Sequence, residues 1–152
     1  MKNFNQNVLT FIILIGCFLL LGCQSTGFYS NLEKATPYLR SSSAIITSLT
    51  LQEAVSEDDR KEKAKIILNI ASVIEEMTQN GEVDILVFAD KISNSLPNKN
   101  HWDEFAASLI LIYADFNAQA QSVLDENDRK QVLIQALNKI ASGCKLAAQR
   151  AL

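Results

Sequence analysis

The chain has 152 residues, 48% of them hydrophobic, with 14 basic and 17 acidic side chains and a formal charge of −3. Both signs are interspersed and no basic stripe occurs, which argues against a nucleic-acid partner. Cysteine is sparse, with three residues in all.

The first 23 residues follow the plan of a secretory signal: Lys2 and the free amino terminus, an apolar stretch over residues 8–21, then Gly22 and Cys23. An ordinary transmembrane helix needs about 20 apolar residues to cross roughly 30 Å of hydrocarbon. This stretch is shorter, so a cleaved signal is the better reading.

Leu20-Leu21-Gly22-Cys23 resembles the lipobox of bacterial lipoproteins: an aliphatic residue, a small or apolar one, Gly or Ala, and an obligatory Cys. The resemblance implies a diacylglyceryl group on the Cys23 thiol, cleavage before Cys23, and a palmitate-type acyl group on the new amino terminus. Leu20, Leu21 and Gly22 would then be the peptidase recognition residues. Leu14-Ile15-Gly16-Cys17 also satisfies the pattern, but cutting there leaves a short apolar region and starts the mature chain with Phe18-Leu19-Leu20-Leu21. The polar Gln24-Ser25-Thr26-Gly27 after Cys23 favours the later site. In Gram-negative lipoproteins an Asp after the lipidated Cys tends to retain the protein in the inner membrane. Gln24 therefore implies the outer membrane, facing the periplasm, if the host is Gram-negative. Membrane lipid, through the covalent anchor, is thus the first expected partner.

Lys2 is the only charge in residues 1–22, so the remainder carries 13 basic and 17 acidic side chains, a balance of −4. About 130 residues suffice for one domain that buries roughly two-thirds of its unfolded surface. The expected organisation is a signal peptide over 1–22, a lipidated tether over 23–35 and a helical domain over 36–152.

Thr36-Pro37 predicts a helix start, with Thr as cap and Pro in the first turn, where its missing N–H costs nothing. That helix is expected to reach about Val55. Ser56-Glu57-Asp58-Asp59 starts the next, a capping hydroxyl followed by carboxylates at the positive end of the helix dipole. Ile66, Ile67, Ile70, Ala71, Val73, Ile74 and Met77 fall within roughly 160° of arc at 3.6 residues per turn. Asn80-Gly81 ends it, with Gly81 suited to a left-handed cap.

A shorter helix over residues 83–95 places Ile85, Phe88, Ala89, Ile92 and Leu96 on one face before Pro97. A strand over 83–89 is the alternative, disfavoured because the apolar residues do not alternate and no second strand is available to pair. The fourth helix, over residues 101–123, contains Leu109-Ile110-Leu111-Ile112-Tyr113, apolar in every direction. That pattern predicts the central helix of the fold. A fifth begins near Asn127 and buries Leu133, Ala136, Leu137, Ile140, Cys144 and Ala147. The expected fold class is all-α, a compact antiparallel bundle of about five helices.

Chemistry-bearing constellations are sparse. The single His101 lies beside Asp103 and Glu104 but lacks the i, i+4 partner that puts two ligands on one helical face. Asp115 borders the apolar stripe of the fourth helix and is expected to be a buried, paired carboxylate. An EF-hand starting at Asp125 would need Gly at its sixth place and Glu at its twelfth, where Lys130 and Ala136 stand. Cys144 is expected to be a buried core thiol. No phosphate loop or nucleophile elbow is present. The sequence therefore predicts no catalytic residue, cofactor or metal, and a protein that is not an enzyme.

The helical part is also similar to small envelope lipoproteins of phage, prophage and bacterial genomes. The similar features are Pro37-Tyr38-Leu39-Arg40, the Ala54-Val55-Ser56 boundary, the Trp102 helix and Ala141-Ser142-Gly143-Cys144. This resemblance implies a binding or structural role at the membrane with an envelope protein partner. Superinfection exclusion, envelope chaperoning or secretion piloting, and a small hydrolase using His101 or Asp115 are the alternatives.

Overall fold

The computed structural model describes residues 28–97 and 102–152, which form five helices and, among those residues, no strand. In chain order they are α1 (Phe28–Gln52), α2 (Glu57–Gln79), α3 (Ile85–Asn94), α4 (Asp103–Val123) and α5 (Glu126–Gln149). The predicted all-α bundle is the observed fold class, and residues 85–89 open a helix, with Val83 and Asp84 before it and no strand among them.

Two of the predicted boundaries rest on local chemistry that the structure shows directly. The Ser56 hydroxyl caps α2 by accepting from the Asp59 N–H at 3.1 Å, while the Asp59 carboxylate accepts from the Val55 N–H at 3.0 Å. At the other end Gly81 takes φ +69°, and two bonds close the cap: Glu82 N–H to Met77 C=O at 2.9 Å and Gly81 N–H to Thr78 C=O at 3.1 Å. This six-to-one plus five-to-two pattern satisfies carbonyls that a simple helix end leaves bare.

Other boundaries correct the sequence reading. Helix α1 begins at Phe28, eight residues before Thr36, with Pro37 inside it. The stretch expected as tether over residues 23–35 is therefore helical from 28 onward. Proline already has the helical φ, and inside a helix it forfeits one bond, here the one to the Glu33 carbonyl. Leu32, Glu33, Lys34 and Ala35 upstream are good helix formers without a breaker among them. The cap of α5 is Asp125, whose carboxylate accepts from the Asp128 N–H at 3.0 Å, not Asn127, which lies in the first turn.

The central helix is α5, not α4. Helix α5 packs against α1, α2 and α4, most extensively on α1, while α4 packs on α1, α3 and α5. Ten residues of α5 are buried, from Val132 to Ala148, and they cover roughly 180° of its circumference. The seven buried residues of α4 cover only about 120°, so Leu111 points outward and is 46% exposed. What sets α5 apart is small side chains. Ala136, Ala141, Gly143, Cys144, Ala147 and Ala148 let neighbouring backbones come close on three sides.

The closest approach is at Gly143, where a Cβ would lie 2.0 Å from Ser43 Oγ and 2.2 Å from the Arg40 carbonyl oxygen. Opposite it, Ser43 and Thr47 of α1 are fully buried. The Ser43 hydroxyl donates within its own helix to the Leu39 carbonyl at 2.8 Å, so it enters the seam already satisfied. Between α2 and α5, Thr78 Oγ1 donates to Asn138 Oδ1 at 3.1 Å and Lys145 pairs with Glu75. Helix α3 is held from outside by α4 and α2.

Candidate functional site

The residues that the sequence singles out form no assembled site among the described residues. Leu20, Leu21, Gly22 and Cys23, together with Cys17 and His101, lie outside the described residues. Asp115 is on α4 but exposed, which corrects the expectation of a buried pair. At 100° per residue it stands about 140° from the centre of the buried arc of α4, on the solvent side of the helix. Among the described residues no group of three or more His, Cys, Asp or Glu could hold a metal ion. Asp125 and Asp128 are joined by the α5 cap, and Glu57, Asp58 and Asp59 form the first turn of α2.

Two titratable groups are strongly perturbed, both by burial. The Tyr113 phenol lies within the core and is pushed well above its ordinary range, first by desolvation and then by the Asp84 charge. It donates to the Val83 carbonyl, and its ring stacks at a tilt on Phe88 with centroids 4.8 Å apart. Tyr113 thus ties the loop after α2, and α3 itself, to α4. Burial pushes the Cys144 thiol up to about 11, against the smaller opposing effect of the Thr47 hydroxyl. A thiol of that kind is neutral near pH 7, and the thiolate is the nucleophile. Tyr113 and Cys144 both lie fully buried in the core.

The Cys144 shift has a testable consequence. The folded state keeps the thiol protonated between about 9 and about 11, where the unfolded chain ionises. The native state then binds more protons, so this contribution is complete below pH 9 and is lost as pH rises toward 11. Urea unfolding of wild type and Cys144→Ala across this window should show the wild type losing more stability. Parallel curves would remove Cys144 as the cause. The native thiol, fully buried, should also react with a maleimide only as fast as the domain opens.

A second ionic contact, Lys91 Nζ to Glu82 Oε2 at 2.7 Å, fastens α3 to the loop before it. The Lys91 ammonium is held above its usual pKa, chiefly by the side-chain hydrogen bond to Glu82.

The surface carries a feature that periodicity alone misassigns. Large apolar side chains stand exposed on three helices: Tyr38 and Ile45 on α1, Leu86 and Val87 on α3, and Leu111 on α4. The signal is in the sequence for Leu111, since a helix apolar all round must show one side to water unless neighbours surround it. For α1, Tyr38 and Ile45 lie seven residues apart and so on one face. No helix among the described residues is long and apolar enough to cross a membrane. Comparison with known proteins returns no matching family model, no matching curated protein and no matching solved structure.

Proposed function

We propose that this chain is a lipid-anchored protein of the bacterial cell envelope, held by an acylated Cys23 and acting by binding or structural placement rather than catalysis. The observation that carries the reading is Leu20-Leu21-Gly22-Cys23 at the end of the apolar run over residues 8–21. Two or three acyl chains, at about 0.8 kcal/mol per buried methylene, hold a protein to a bilayer essentially permanently. The anchor confines the helical domain to a thin layer, where even a weak partner is met at high effective concentration. An envelope protein is the partner this placement serves. With Gln24 in place of Asp, the outer membrane is the proposed location if the host is Gram-negative.

The mature amino terminus tests the reading. Mass spectrometry of membrane-extracted protein should find Cys23 as the first residue, carrying a diacylglyceryl group. Cys23→Ser should block lipidation and the cleavage that depends on it, leaving precursor in place of the mature form while the helical domain keeps its circular dichroism. Recovery of an unmodified peptide containing Cys23 from the membrane fraction would sink the proposal.

A further inference from the structure

The start of α1 changes what the anchor does. Only residues 24–27 separate Cys23 from Phe28, a stretch that reaches at most about 14 Å fully extended. A domain on so short a leash cannot stand clear of the bilayer, and the surface nearest the leash must be compatible with lipid.

Helix α1 has such a surface. Thr36, Leu39, Ser43, Thr47 and Leu51 are its buried positions. On the opposite side Tyr38, Ser42, Ile45 and Leu49 fall within about 60° of arc, with Ser42 and Leu49 half-buried. Tyr38 is 67% exposed and Ile45 41%. Ser42, between them, is small and uncharged, and a helical serine can return its hydroxyl to the carbonyl four residues back. Between residues 35 and 52 the only charged side chain is Arg40, a cation, whereas nearly all of the protein's acidic groups follow residue 52. Two of the other exposed apolar residues have acidic company. Leu86 lies between Asp84 and Asp90, and Leu111 is one helical turn from Asp115. Leu49 has Glu53 at the same spacing, but Tyr38 and Ile45 have no acidic residue within four positions, so an anionic bilayer repels those faces and tolerates the Tyr38–Ile45 part of α1.

Orientation follows from length. At 1.5 Å per residue Tyr38 is about 15 Å and Ile45 about 26 Å along α1 from its first residue. Were α1 upright, Ile45 would stand clear of the lipid. Lying along the surface, the helix seats the whole stripe, with the tyrosine ring and the Ser42 hydroxyl at the headgroup level, where amphipathic and small polar groups are tolerated. Resting on the proposed anchor, we infer that the outward stripe of α1, Tyr38, Ile45 and Leu49 with Ser42 among them, lies on the bilayer that holds Cys23, so that α3 and the outer face of α4 are presented away from it.

Single-cysteine labelling tests it, because lipidation blocks Cys23 and burial protects Cys144. Lipidated full-length variants Tyr38→Cys, Ile45→Cys, Leu86→Cys and Leu111→Cys carry an environment-sensitive fluorophore in phosphatidylethanolamine–phosphatidylglycerol vesicles doped with brominated lipid. The labels at 38 and 45 should lose most of their emission, and those at 86 and 111 should keep theirs. Equal quenching at all four positions, or none at 38 and 45, overturns the inference, as does a blue shift at 38 and 45 without lipid quenching, which would mean a protein contact. The acyl mass on the Cys23 peptide is read from the same samples. With acylation present and the pattern absent, only the orientation fails; an unmodified Cys23 overturns both.

Discussion

Gly143→Ala should lower the stability of the domain by about 1–3 kcal/mol or more, a substantial part of the roughly 5–15 kcal/mol typical of a small domain. In an exposed helix the same change stabilises by about 1 kcal/mol, because alanine is the better helix former. The sign reverses here because the new methyl would sit 2.0 Å from Ser43 Oγ and 2.2 Å from the Arg40 carbonyl oxygen. A hydroxyl can be moved or removed. A carbonyl in the middle of α1 cannot, so the two helices must part by roughly 1 Å along their most extensive contact. The double variant Gly143→Ala with Ser43→Ala relieves the first collision and leaves the second, and should recover little. Urea denaturation followed by circular dichroism reads the effect. Stability equal to or above wild type for Gly143→Ala would mean that α1 and α5 do not cross at this residue.

Tyr113 offers the second large effect, and two substitutions separate its parts. Tyr113→Ala removes a fully buried ring from the junction of α3 and α4, where aromatic-to-alanine changes cost about 3–5 kcal/mol. Tyr113→Phe keeps the ring against Phe88 and removes only the hydrogen bond to the Val83 carbonyl. That change should cost about 1–2 kcal/mol, since the half-buried carbonyl loses its partner. The phenol also ionises more readily in the unfolded chain than in the folded one. Its stabilisation is therefore complete below the ordinary tyrosine range and is lost at higher pH, a component that Tyr113→Phe should lack. Amide exchange should accelerate first in α3 and in residues 82–84, which the bond fastens. Uniform acceleration over the whole domain would place the bond's effect in global unfolding instead.

Legibility in the sequence follows the range of the interaction. The Ser56 cap and the Gly81 terminator are readable because each is decided by three or four consecutive residues. The buried face of α5 is readable from its spacing, and all six residues expected there are buried. Pro37 misleads because a proline that can begin a helix can also be carried inside one when good helix formers precede it. Asp115 misleads because it borders an apolar stripe whose buried part is narrower than its apolar part. The proposed anchor at Cys23 is a reading of the chain alone, because a signal peptidase recognises extended backbone and not a fold.

Local sequence is enough to make the domain helical, to place most helix ends, and to turn the apolar residues of α2 and α5 toward a core. It does not say which helix lies at the centre or which apolar residues stay at the surface; packing settles both. Hydrophobicity counts what a helix could bury, and α4 is apolar on every side from Leu109 to Tyr113. Centrality depends instead on how closely neighbours can approach. The small side chains of α5, and above all the missing Cβ of Gly143, admit three helices to one axis, while the bulk of α4 leaves Leu111 in water.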